Sequence, residues 1–169
     1  MPLPPPRTPG RYRVAIVCMG NICRSPMAQV VLERELEHAG LHDRVEVVSS
    51  GTGGWHVGNP MDRRAAATLT AHGYDASRHR AQQFRPAWYD DCDLVLAMDS
   101  DNLADLQEVA GPGHRERLLP FRAFDPRADG DLDVPDPYYG ADDGFEHVLG
   151  IVTRTSGSIV GELALLVSR

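Results

Sequence analysis

Cys18 and Arg24 are separated by five residues in the run Cys18-Met19-Gly20-Asn21-Ile22-Cys23-Arg24-Ser25-Pro26. Each residue type there has a chemical use. Gly20 and Asn21 tolerate positive φ, so the backbone can curl until successive N–H groups face one centre, and such a nest binds an oxyanion. Ser25-Pro26 reads as a helix start, with serine as N-cap and proline at the first helical position. A helix N-terminus adds unpaired N–H groups and partial positive charge. Arg24 can close the ring with a two-pronged fork that suits a phosphate. The run therefore predicts a cradle for a tetrahedral anion, with Met19 to Ser25 as its walls. Cys18 stands at its floor. An ordinary thiol is only about 3% ionised at neutral pH, whereas this field favours the thiolate. A thiolate under a bound phosphate is placed for in-line attack on phosphorus, which implies a phosphocysteine intermediate.

The elements around this run must hold it as a strand-to-helix loop. Tyr12 to Cys18 is a short β-branched run and predicts a buried strand. Ala28, Val31, Leu32, Leu36 and Ala39 give the next helix its apolar face, and Gly40 ends it. Val45 to Ser49 predicts a second strand, and Asn59-Pro60 a second helix running to His72 and stopping at Gly73. Leu94 to Met98 predicts a third strand, succeeded by a helix from about Asp101. Arg117 to Pro120 fits a short fourth strand. Asp125 to Gly140, rich in aspartate and proline, predicts a loop. Phe145, Val148, Val152, Ile159, Leu163 and Leu166 form the stripe of a last helix, weakened by Gly150, Gly157 and Gly161. Strands alternating with helices imply a parallel sheet covered on both faces, an α/β doubly wound domain of four strands. In such sheets ligands bind beyond the carboxyl ends of the strands, where the Cys18 loop falls.

Composition agrees with one such domain. The chain has 169 residues, 42% hydrophobic and 24% charged, with 24 acidic against 17 basic side chains for a net charge of −7. That balance argues against nucleic-acid or anionic-membrane partners. No apolar run long enough to cross a bilayer stands out and no secretory signal pattern opens the chain. Three cysteines do not suit a disulfide framework, so a cytoplasmic, reduced setting is expected. Residues 1–10, with Pro2, Pro4, Pro5, Pro6 and Pro9, predict a flexible tail before a domain spanning 11–169; a ligand for a proline-recognising domain is the other reading. Cys18, Cys23 and Cys92 lack a credible fourth zinc ligand, and His38, His42, His56, His79, His114 and His147 show no metal-ligand spacing, so no metal and no cofactor are expected.

The run Val17 to Pro26 (VCMGNICRSP) resembles the active-site signature of the low-molecular-weight protein tyrosine phosphatases. The resemblance continues at Ser49 to Trp55 (SSGTGGW), Ala71-His72-Gly73, Met98-Asp99 and Asp136 to Gly140 (DPYYG), and spans about residues 12–166. Serine replaces the usual alanine at position 50. The resemblance implies hydrolysis of phosphotyrosine in proteins, releasing inorganic phosphate, by a monomer on a flavodoxin-like scaffold. Composition alone cannot choose an acid among Asp125, Asp129, Asp131, Asp133 and Asp136. By resemblance the acid is Asp136, held between Pro135 and Pro137. Tyr138 and Tyr139 would then form one wall of a slot for the substrate ring, and Trp55 the opposite wall, while Trp88 reads as packing. Asn21, Ser49 and His72 match positions that hold the phosphate loop in shape, although His72 also reads as a helix C-terminal histidine. Ser25 would cap its helix and donate to the Cys18 sulfur. Cys23 is implied to be a redox partner for Cys18, or else it packs.

Two other activities share this scaffold. A thiol-dependent arsenate reductase needs cysteines after the third strand, where this chain has Met98-Asp99. A protein-arginine phosphatase typically has threonine before the second loop cysteine, where this chain has Ile22. A third reading, a non-catalytic phosphotyrosine-binding module, fits poorly with Cys18, Arg24 and Asp136 all present.

Overall fold

The computed structural model describes residues 2–141 and 143–167. Met1 of the expected tail and the last two residues of the expected domain lie outside the described residues.

Four strands form the sheet: β1 (Tyr12–Cys18), β2 (Val45–Gly51), β3 (Leu94–Ala97) and β4 (Leu118–Pro120). They are all parallel, in the order β2-β1-β3-β4. The helices are α1 (Arg24–His38), α2 (Arg63–Ala71), α3 (Ser100–Glu108) and α4 (Asp143–Val167), with short 3-10 turns at Pro86–Asp90, Arg115–Arg117 and Phe121–Phe124. The doubly wound α/β arrangement expected from the alternation of elements is the one observed.

The two-residue period of β1 explains why its whole run is apolar. Val14 and Ile16 point to one face and join Val31, Leu32, Phe145, Val152 and Ile159 of α1 and α4. Ala15 and Val17 point to the other and join Val95, Leu106 and Tyr89. A central strand covered on both faces has no solvent side to mark with polar residues. Trp88 packs as expected, edge-on against Phe84 with ring centres 5.7 Å apart.

The helix starts differ from those read in the sequence. Ser25 does not cap α1, whose N-cap position is Cys23 with no side-chain cap; the Ser25 hydroxyl is turned toward Cys18 and Asn21 of the loop between β1 and α1 instead. In α2 the cap is Asp62, not Asn59, and its Oδ1 accepts from the Arg64 and Ala65 N–H groups at 2.8 and 3.3 Å. Asp99 Oδ1 likewise accepts from the Asn102 N–H at 2.8 Å and opens α3. α4 runs unbroken through its glycines because most of its apolar stripe, including Ile151, Val152, Ile159 and Leu163, is fully buried and outweighs their low propensity. Contrary to the sequence reading, α4 is long and apolar enough to cross a membrane, with a mean hydropathy of 1.3. Its packing against α1 and α2 in the core accounts for that composition.

The proline-rich segment is not a loose tail. Leu3 is buried in the core, and Pro4 O accepts from Tyr12 Oη at 2.9 Å. The Arg7 guanidinium donates to the Cys92 and Tyr89 carbonyls at 3.1 and 3.0 Å. Asp93, itself buried, accepts from the Arg7 and Arg13 N–H groups at 2.7 Å each. Prolines predict an extended chain here, and the contacts that dock it come largely from the few residues between them.

Candidate active site

β1 ends at Cys18 and α1 begins at Arg24, so the intervening residues must turn at the carboxyl edge of the sheet. Asn21 makes the turn possible with φ of +58°, a conformation few residues other than glycine adopt. Its side chain offsets that strain. Nδ2 donates to Ser25 Oγ at 2.8 Å and Ser49 Oγ at 3.0 Å, while Oδ1 accepts from the Gln82 N–H at 2.9 Å. The loop is further pinned by its carbonyls. Cys18 O accepts from the Thr52 N–H, Met19 O from the Gly53 N–H and Ile22 O from the Asp62 N–H, at 2.9, 3.0 and 2.8 Å. With these carbonyls turned outward, the loop curls around a shared centre.

Cys18 is buried, and its Sγ lies 3.0 Å from Ser25 Oγ. Ser25 Oγ is also 3.3 Å from Ser50 O. The Ser50 hydroxyl has no partner among the described residues; nothing in the structure explains a serine there. Arg24, only 3% exposed, sets its Nη1 2.5 Å from Asp99 Oδ2 and 3.1 Å from Val134 O, and its Nη2 3.5 Å from Asp136 Oδ2. Burial alone would lower the Arg24 pKa, but Cys18, Asp99 and Asp136 outweigh it and raise it. The guanidinium is thus held as a cation in one plane beside the loop.

Cys18, Met19, Gly20, Ile22, Cys23, Arg24, His56, Asp136, Tyr138 and Tyr139 line one small cavity of about 50 Å³. Larger clefts, of about 680, 560 and 260 Å³, open elsewhere on the surface. Volume would favour those; the convergence of a thiol, a fixed arginine and a carboxylate singles out the small one. Burial pushes the Cys23 thiol pKa up, with Asp62, Cys18 and Asp136 adding to it, so Cys23 is a neutral thiol beside Cys18.

Two sequence expectations fail here. His72 is not at the loop: it is half exposed at the end of α2, its Nε2 2.9 Å from Glu146 Oε2. The histidine that supports the loop is His79, whose Nε2–H donates to Asn21 O at 2.6 Å. Burial pushes the His79 pKa down, which favours the neutral ring. Nor does Trp55 line the cavity. It is 72% exposed with its ring folded against Gly53, and the neighbouring His56 lines the cavity instead, close over Gly20. Sequence reading also missed Gln82 and Asp99. For Asp99 a signal existed, since it lies just past β3 at the ligand-binding edge of the sheet. For His79 and Gln82 there was none, because only the folded chain brings residues 79–82 against residue 21. Among the described residues no cluster of three His, Cys, Asp or Glu side chains could hold a metal ion.

The family described as low molecular weight phosphotyrosine protein phosphatase matches residues 13–165. This chain belongs to that family. A Streptomyces coelicolor protein named low molecular weight protein-tyrosine-phosphatase is 49% identical over 154 residues, covering 88% of this chain and 92% of its own. The low molecular weight protein-tyrosine phosphatase A of Mycobacterium tuberculosis is 46% identical over 140 residues, covering 82% and 83%. Among solved structures, a protein tyrosine phosphatase from Entamoeba histolytica with Hepes in its active site superposes with a TM-score of 0.87 at 27% identity, covering 91% of this chain and 97% of its own. YfkJ from Bacillus subtilis superposes with a TM-score of 0.85 at 31% identity, covering 92% and 96%. The chain is accordingly a hydrolase of the low-molecular-weight protein-tyrosine-phosphatase type.

Proposed function

We propose that Cys18, Arg24 and Asp136 carry out phosphotyrosine hydrolysis in two steps. The thiolate of Cys18 attacks phosphorus while Asp136 protonates the departing phenolate oxygen. Water, deprotonated by Asp136, then cleaves the phosphocysteine and releases inorganic phosphate. The observation that carries this reading is the Arg24 side chain, held by Asp99, Val134 and Asp136 where it can grip a phosphate above the sulfur. The backbone from Met19 to Ser25 supplies the remaining donors for the developing charge. Ser25 has one hydroxyl proton and two acceptors in reach; an ionised sulfur at 3.0 Å takes it in preference to the carbonyl at 3.3 Å. That hydrogen bond steadies the thiolate and later eases its departure.

The substrate is a protein phosphotyrosine. Tyr138 and Tyr139 offer ring faces beside the cavity, their centres 4.9 Å apart and nearly perpendicular, with His56 completing the lining. Ile22 presents an apolar side, which favours an aromatic ring over a guanidinium. Asp99 stands where the reductase scaffold needs a cysteine, and here it holds Arg24. One chain supplies every residue of the site, so a monomer suffices, and three buried free thiols agree with a reduced, cytoplasmic setting. Steady-state hydrolysis of phosphotyrosine, phosphoserine and phosphoarginine peptides, with chelator and reductant present, tests the reading. Turnover confined to phosphotyrosine is expected, and preference for phosphoarginine would overturn the substrate assignment.

Cys23 is the resolving thiol in this reading. Peroxide converts the Cys18 thiolate to a sulfenic acid, and the Cys23 thiol displaces water from it to give a disulfide. Peroxide inactivation of the native chain is expected to reverse fully on adding dithiothreitol. With Cys23→Ala the same treatment should become largely irreversible. Equal recovery of the two would remove Cys23 from the redox chemistry.

A further inference from the structure

The segment from Asp125 to Gly140 carries Asp136 but forms no strand or helix, so no backbone ladder sets where the carboxylate sits. Its placement has to come from individual contacts, and several of these meet at one residue. Arg122 lies in the 3-10 turn Phe121–Phe124, directly after β4. Its side chain is 11% exposed, with Nε 3.0 Å from Oδ2 of the fully buried Asp125 side chain. Nη1 of the same guanidinium donates to Asp133 O at 3.0 Å and approaches Asp131 Oδ2 at 3.4 Å. Asp125 is held from its other side by Arg154 of α4, through Nε and Nη2 at 3.2 Å each. The fork of Arg122 therefore joins the end of the sheet, and through Asp125 the last helix, to the loop backbone at residue 133.

From residue 133 the chain runs directly to the acid. Ser100 at the start of α3 donates its N–H and hydroxyl to the Asp133 carboxylate at 2.9 and 3.3 Å. The Val134 N–H donates to Met98 O at 2.7 Å, and Val134 O accepts from Arg24 at 3.1 Å. Pro135 then fixes its own φ, and Asp136 faces Arg24. We infer that Arg122 is a positioning residue for the general acid, which rests on the assignment of that role to Asp136 above. A hydrogen bond from a buried guanidinium is strong in low dielectric, and it is made to a carbonyl three residues from the acid. Displacing the loop there moves the carboxylate away from the leaving oxygen, whereas Arg24 keeps Asp99 and the Cys18 loop keeps its ties to Thr52, Gly53 and Asp62.

The test compares two substrates. For Arg122→Met, which keeps the aliphatic stem and loses the fork, kcat/KM on a phosphotyrosine peptide is expected to fall about 10- to 100-fold. On an aryl phosphate whose leaving group needs no proton it should fall no more than about 3-fold. The ratio of the two does not depend on how much of the variant is folded. Arg122→Lys, which keeps the charge and a donor for Asp133 O, should restore part of the ratio. Equal losses on both substrates, or none on either, would overturn the inference. Asp136→Asn assayed alongside separates the positioning role from the acid role it depends on. If its ratio shifts and that of Arg122→Met does not, the positioning role alone fails. If the Asp136→Asn ratio does not move, the acid assignment fails and takes the positioning role with it.

Discussion

Cys18→Ser is expected to lose hydrolysis of phosphotyrosine peptides down to background, a fall of at least about 10⁴-fold in kcat, while still folding and still binding phosphate. The substitution changes one atom in a buried site. It leaves in place the arginine fork, the curled backbone and the Ser25 hydroxyl 3.0 Å from the replaced atom. What is lost is the nucleophile's charge. An alcohol is a far weaker acid than a thiol and stays protonated, and its hydrogen-bond partner, the Ser25 hydroxyl, is no base to take the proton. Binding of inorganic phosphate by calorimetry would show that the cradle survives. A variant that binds phosphate and retains appreciable turnover would remove Cys18 from the reaction.

Asp136→Asn is expected to reduce kcat/KM on phosphotyrosine peptides about 10²- to 10⁴-fold, with a far smaller loss on an aryl phosphate whose leaving group is already a stable anion. Tyrosine leaves as a phenolate with a pKa near 10, so a proton supplied in the transition state removes most of the cost of departure. The constant kcat/KM is the right readout because it ends at the first irreversible step. The later role of Asp136 as a base on water then does not contribute. The amide keeps the side chain's shape and can still accept from the Tyr138 N–H, as Asp136 Oδ1 does at 3.0 Å. Equal losses on both substrates would point to distortion of the loop and refute the acid role.

The strands and the curled loop between β1 and α1 were legible in the sequence because both are written locally. A β-branched run that is buried on both faces has few other conformations available, and Gly20-Asn21 before Ser25-Pro26 fixes a turn within a few residues. Caps were less legible. Ser25 has the preferred residue type for an N-cap, yet Asn21, Cys18 and Ser50 compete for its hydroxyl, and the tertiary partners win. Asp62 caps α2 and Asp99 caps α3, and residue type alone does not mark either as a cap among the many acids of the chain. The support of the loop was least legible. His72 ends a helix and precedes a glycine, a convincing local setting, but the bond to Asn21 O comes from His79, placed by a crossing of two distant segments. The choice of Trp55 over His56 failed for a related reason, since which of two neighbours faces inward depends on how the glycine-rich turn is rolled.

Asn21 ties itself to residues 25, 49, 79 and 82 through one side chain and one carbonyl. The shape of the loop therefore belongs to three parts of the chain at once, the start of α1, the end of β2 and residues 79–82, and substitutions at Asn21, Ser49 and His79 act on a shared quantity. Effects on such a shared quantity do not add. The first substitution releases the turn and the next finds little left to release, so double replacements among the three report coupling energy through Asn21. Genetic drift has the same arithmetic to obey. A change at any one of these positions alters which changes the others tolerate, although none of the three lines the substrate cavity.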